Sequence, residues 1–219
     1  MPDRAPPATG YQLRAVVHGV SPLIWRRLLV PGDTTIAVLH AIVQAAFDWS
    51  GEYLHRFTVH GTDYGICYDG GPAFRDDARR VRLAGLGLRE GERFTYTYNF
   101  FADWQRLDLR VEQITATHSE RYPRCVGGRR AGPPEEWDGP WEYLERTQPY
   151  LVIDAAVRAA EILRGLLDAD PDEDAAAFLE DHHDELGGLL PLLRVDCFDR
   201  RALNKTLAGL TSTERTLTA

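Results

Sequence analysis

Two adjacent glutamates, Glu135 and Glu136, follow a Pro133-Pro134 step in the stretch RRAGPPEEWDGPWEYLE, residues 129–145. Proline fixes φ and keeps the residue before it extended, so the two carboxylates point in defined and different directions. Such a pair can act as general base and general acid when burial raises the pKa of one member. It can equally clamp Arg129 or Arg130 in an ion pair, which is a structural task. His55 opens the run HRFTV directly after WSGEYL. An imidazole at a strand end among aromatic rings suits a pocket acid or base, and it also suits a structural histidine bonded to a backbone carbonyl. The catalytic candidates are therefore His55, Glu135 and Glu136. The binding candidates are Trp49, Tyr98, Asp103, Trp104, Arg129 and Trp141, with Trp137 and Trp141 expected to pin the loop to a sheet.

Other titratable groups point to blander roles. Glu180-x-x-His183 in EDHHDE can aim two ligands from one helix face, but a di-iron bundle needs that motif twice with two further glutamates. His182 and His183 read as ordinary helix residues, and His40, beside Ile36 and Val43, as a hydrogen-bonded histidine at the edge of the core. Cys67, Cys125 and Cys197 form no C-x-x-C, which fits free thiols in a reducing compartment. Phosphate-loop, dinucleotide, nucleophile-elbow and H-E-x-x-H signatures are absent, and the expectation is a chain that uses no cofactor and no metal.

The elements that must position these groups follow from periodicity. YQLRAVVHGV and PLIWRRLLVP read as two strands joined at Gly19–Pro22, and Asp33 or Thr34 can cap a helix with Ile36, Leu39, Val43 and Phe47 on one face. HRFTVHGTDYG alternates as one strand, and ERFTYTYNF and RLDLRVE as two more with one wet face. The stretch around 129–145 is read as a loop, and three helical segments follow from Asp154. Strands first and helices later give an α+β fold: an antiparallel or mixed sheet of about five strands, one helix on its face, and C-terminal helices. The chain reads as one domain over 1–219, with a sheet-based core at 11–145 and a helical part at 150–210.

Residues 1–132 carry 17 arginines against 14 acids, whereas residues 133–219 carry 8 Lys and Arg against 19 acids, giving −8 overall. Acidity on that scale opposes polyphosphate at long range, so nucleic acid is an unfavoured partner, although an arginine-bearing N-terminal face can be locally positive. No apolar run approaches the roughly 20 residues that cross a bilayer, and MPDRAPPATG lacks the pattern of a signal peptide, so a cytoplasmic protein without membrane association is expected.

The segments PLIWRRLLVP, TIAVLHAIVQAAFDW, YLHRFTVHGTDYG, FTYTYNFFADW, YPRCVGGRRAGPPEEWDGPWEYLE and FDRRALNKTL together resemble the plasmid pRiA4b ORF-3-like proteins, also labelled passenger proteins of insertion elements. The resemblance implies an α+β fold and no established reaction. The chain departs from the family pattern at several points. Asn99, Ala102 and Arg106 replace two acids and a histidine of the Y-D-F-G-D-x-W-x-H segment, and Tyr53 stands where H-L-H members have a histidine. Gly132 and Trp137 occupy cysteine positions of many members, and Glu136 an aspartate. If the family holds a metal through those positions, this chain has lost most of the ligands.

Two readings follow. One is a cofactor-free enzyme or small-molecule-binding protein with an aromatic-walled pocket and His/Glu acid–base groups. The other is a non-catalytic interaction module of a mobile element, docking protein through the acidic helices or nucleic acid through the N-terminal arginines. Oligomeric state is not legible.

Overall fold

In the computed structural model, residues 9–99, 105–116, 123–168 and 175–217 are described. Strands β1 (Thr9–Val17) and β2 (Trp25–Pro31) form the opening hairpin, followed by α1 (Ile36–Phe47). Strands β3 (His55–Val59) and β4 (Thr62–Tyr64) come next, then β5 (Arg93–Tyr98), β6 (Gln105–Ala116) and β7 (Arg124–Arg129). Helices α2 (Gly139–Arg146), α3 (Pro149–Asp168), α4 (Ala175–Asp181), α5 (His183–Leu193) and α6 (Arg200–Leu217) complete the chain. The sheet has seven strands in the order β4-β3-β5-β6-β1-β2-β7, and every described pairing is antiparallel. The fold class is α+β, as the order of periodicities implies.

Two strands go beyond the five expected. HRFTVHGTDYG is a hairpin, because His60 and Gly61 both take positive φ, 49° and 75°, and fold the run back on itself. The other is β7, RCVGGR, inside what reads as loop. A Cβ on Gly127 would approach the Trp25 ring to 3.2 Å, and one on Gly128 would run into the Phe198 ring and come within 2.9 Å of Arg26 Cδ. These glycines are there because side chains from other elements lie flat on the strand. Its outer edge is covered: the Asn204 side chain of α6 accepts from Cys125 N at 2.7 Å and donates to Cys125 O at 3.0 Å, replacing a neighbouring strand.

Alternation sorts the two faces of the sheet. Leu13, Ala15, Leu28, Phe57, Tyr96 and Leu109 point into the core under α1 and α6, whereas Arg14, Arg27, Thr95 and Arg110 stand on the other face. Helix α1 starts one residue later than expected, with Thr35 accepting from Val38 N at 3.3 Å, and it ends at Asp48 in the left-handed region at φ 61°. It buries His40 and Gln44, one turn apart, on the face that carries Ile36, Leu39 and Val43. EDHHDE spans the break between α4 and α5 at His182, whose ring stacks on Phe178 and whose Nδ1 meets Phe178 O at 2.9 Å. No helix among the described residues is long and apolar enough to cross a membrane.

Candidate functional site

Strands β3 and β5 are in register at His55 and Tyr98, so the His55, Tyr96 and Tyr98 rings share the inward face. Helix α1 lays His40 on His55, with ring centroids 3.5 Å apart and planes 8° from parallel. Gln44 Nε2 donates to the Tyr96 hydroxyl oxygen, which leaves the hydroxyl proton for His40 Nδ1 at 2.8 Å. His55 is 1 % exposed, and neither ring nitrogen has a partner among the described residues. Burial pushes His40 down to about 4, and burial together with the His40 ring pushes His55 down to about 3, so both imidazoles are neutral at pH 7.

One layer outward, Trp49 stacks on Tyr98 at 5.4 Å and its indole N–H donates to Pro133 O at 2.9 Å. Glu135 Oε1 accepts from the Tyr98 hydroxyl at 2.6 Å, from Ser50 N at 2.9 Å and from Ser50 Oγ at 3.2 Å. The Tyr98 oxygen in turn accepts from Gly51 N at 3.0 Å. Burial first, and then the hydrogen bond to Glu135, raise the Tyr98 phenol to about 12, so it is a proton donor at any physiological pH. These bonds tie the Pro133–Glu135 loop to the turn after α1.

Of the sequence-derived candidates, the structure gathers His55, Trp49, Tyr98 and Glu135 and leaves the others apart. Glu136 is exposed, and the bond to the Tyr98 hydroxyl is made by its neighbour Glu135. Trp141 is 85 % exposed on α2 and neither walls the cluster nor pins the loop; Trp137 does the pinning, packed 5.8 Å from the Tyr143 ring. Arg129 is exposed at the end of β7. Arg130, buried at φ 66°, makes its ion pair with Asp196 at 2.8 Å, in a geometry too bent for a hydrogen bond, and not with the glutamates. Asp103 and Trp104 lie outside the described residues. His40 is the hydrogen-bonded histidine at the core edge that its neighbours in sequence imply, whereas Gln44 is not legible there because its partner, Tyr96, comes from β5.

On the far side of the same loop lies a cavity of about 350 Å³. The C-terminal end of α1, the Ala131–Pro134 backbone, Trp137, Tyr143, α5 and the first turns of α6 enclose it. Arg26 forms part of its wall and is 2 % exposed. Its guanidinium lies 3.9 Å from the Phe198 ring centroid and 5.0 Å from that of Phe47, and burial lowers its pKa to about 10. Nε donates to Ala46 O at 2.7 Å, and Nη1 to Trp25 O and Arg129 O; Nη2 makes no hydrogen bond among the described residues. Arg26 shares the inward phase of Ile24, Leu28 and Val30, and a charge in that phase was the signal available in the sequence. Asp48, Arg194 and Asp199 stand at the rim, the last capping α6 through Arg201 N and Ala202 N. No group of three metal-ligating side chains occurs among the described residues.

Residues 9–172 match the family described as Plasmid pRiA4b ORF-3-like protein. The chain belongs to that family. It is 30% identical over 175 residues to the uncharacterized protein y4hQ of Sinorhizobium fredii (strain NBRC 101917 / NGR234), covering 78% of this chain and 88% of the relative. The fold is similar to the crystal structure of MM3350, a protein of unknown function from Methanosarcina mazei Go1, with a TM-score of 0.61 at 24% identity over 90% of this chain and 98% of that one. In this pRiA4b ORF-3-like protein, Gly132 lies against the end of α1. A Cβ there would collide with the Phe47 carbonyl oxygen, so on this backbone the position accepts no thiol-bearing side chain.

Proposed function

We propose that this protein binds a small organic ligand in the cavity between the end of α1, the Pro133–Pro134 loop and helices α5 and α6. The observation that carries the reading is a cavity of about 350 Å³ with a buried arginine in its wall whose Nη2 is not committed to the fold. That volume lies in the range of about 300–1,000 Å³ usual for ligand sites, where apolar walls and a few fixed polar groups set orientation. Phe47, Trp137, Phe198 and Leu203 suit an apolar body, and Arg26 suits one carbonyl or carboxylate oxygen. The rim carboxylates Asp48 and Asp199 disfavour a multiply charged anion.

The probe is 1-anilinonaphthalene-8-sulfonate, an apolar body with one anionic group. Its fluorescence should report one saturable site per chain, and Ala202→Trp, which fills the cavity from the exposed side of α6, should remove that site without lowering the melting temperature. Saturable binding that persists in Ala202→Trp would reject the cavity as the site.

The Tyr98–Glu135 contact supports a second reading, acid–base chemistry at Glu135, because a protonated phenol 2.6 Å from a carboxylate can pass a proton. His55 fits that role poorly, since a base with a pKa of about 3 has little driving force at neutral pH. Glu135→Gln separates anchoring from chemistry. Three donors on one carboxylate oxygen make anchoring worth about 1.5–3 kcal/mol, so the variant should lose roughly that much stability in urea denaturation. A variant of unchanged stability that still binds ligand but no longer turns it over would favour the acid–base role.

A further inference from the structure

The face of the sheet away from the helices carries a row of arginines that no part of the cavity uses. Arg14 of β1 stands opposite Arg27 of β2 on one side and Arg110 of β6 on the other, and Arg110 stands opposite Arg93 of β5. Four cations thus lie in register across four adjacent strands, a row of about 15 Å at the usual strand spacing. Like charges placed directly opposite disfavour a sheet, so the fold itself gives no reason for the arrangement. One carboxylate answers it: Glu112 takes Arg27 at 2.5 and 2.9 Å. Arg93 and Arg110 are exposed, and Arg14 Nε is buried without a partner among the described residues. At the β2 end, the half-buried Trp25 ring lies over Gly127 with the Arg14 and Arg27 guanidiniums 5.3 and 5.4 Å from its centroid.

We propose that this open sheet face binds single-stranded nucleic acid, with Arg14, Arg110 and Arg93 on the phosphates and Trp25 as a stacking platform for a base. A basic track combined with an aromatic ring on a sheet is the combination that holds single strands, whose bases are free to stack. The net charge of −8 opposes it less than its size suggests. The acidic surplus belongs to residues 133–219, which build the helical part, and a sheet with its packed layer separates charges by about the 8–10 Å over which physiological salt screens them. Among the described residues, two further acids of this face, Asp108 and Asp63, are engaged by Arg106 and His18 and by Arg56.

The test is fluorescence anisotropy of a labelled oligo-dT with the full chain, titrated with salt. Three phosphate contacts, Arg27 being held by Glu112, give a slope of log K against log salt of about −2. The double variant Arg93→Gln/Arg110→Gln touches two exposed side chains, should keep the wild-type melting temperature, and should lose at least tenfold in affinity at about 50 mM salt while the slope falls to about −0.7. Trp25→Leu should weaken binding with the slope unchanged, and Arg164→Glu on α3 should change neither. Absence of binding at low salt, binding indifferent to the double variant, or equal affinity for a duplex or for poly-glutamate of matched charge would each overturn the proposal.

Discussion

Lowering the pH from 6.5 to 4.5 is expected to remove roughly 3–5 kcal/mol of stability, a large part of the 5–15 kcal/mol that a folded domain possesses. The source is the stacked pair His40 and His55, held down to about 4 and about 3 by burial, against about 6.5 in an unfolded chain. A base with a depressed folded-state pKa is protonated first in the unfolded state. The unfolded chain therefore gains protons as pH falls below 6.5, and the stability present above that value is lost progressively down to the folded values. Each imidazole accounts for up to about 1.4 kcal/mol per pH unit in this window. The groups facing the pair are Tyr68, Tyr96, Tyr98 and Gln44, none of which supplies a negative charge to hold an imidazolium. Urea midpoints measured between pH 7 and 4.5 check this, and His40→Leu/His55→Phe, which keeps an apolar stack, should flatten the profile above pH 5. A wild-type midpoint that does not move between pH 7 and 5 would show that the pair is hydrated or protonated in the folded protein.

Gly132→Ala is expected to cost about 3–5 kcal/mol and to lower the melting temperature by roughly 10 °C. The methyl group would meet the Phe47 carbonyl oxygen, a backbone atom at the end of α1 that has no rotamer to escape into. Relief requires the loop to move, and with it go the Trp49–Pro133 bond, the Ser50 and Tyr98 bonds to Glu135, and the roof of the cavity. Gly85→Ala is the control, since a Cβ there meets nothing within 4 Å. Equal melting temperatures for the two variants would mean that the loop is not held where it is described. The same substitution should abolish probe binding in the cavity even in whatever fraction remains folded.

Elements whose information is local were legible in the sequence. β1, β2, β5 and β6 announce themselves by alternation, α1 by its helical spacing, and His55, Trp49 and Tyr98 by lying at strand or helix ends near aromatic residues. β7 was not, because Gly127 and Gly128 look like loop until Trp25, Arg26 and Phe198 are placed upon them. Glu135 is legible as a fixed carboxylate, open to acid–base work or to an arginine clamp, but its bond to Tyr98 is not: the arginines next to it in sequence lie at and just beyond the end of β7, whereas Tyr98 reaches it from β5. Arg26 and the arginine row share one lesson. Composition averages charge over the chain, while a pleated sheet sorts it by parity, sending Arg26 to one face and Arg27 to the other.

The position of the first hairpin in the sheet governs how the chain is made. β1 and β2 lie between β6 and β7, so Gln12 must wait for Glu112, 100 residues later, and Arg26 for the Arg129 carbonyl, 103 residues later. At about 5–20 residues per second of synthesis, the hairpin spends on the order of ten seconds outside the ribosome with both of its edges unpaired. Two open edges rich in Val and Leu are templates for pairing with another nascent chain. Neighbours so distant in sequence also make folding slow once the chain is complete, because each pairing must first close a long loop. The sheet that gives the molecule its rigid floor is therefore also the part of it whose strand edges stay open longest during synthesis.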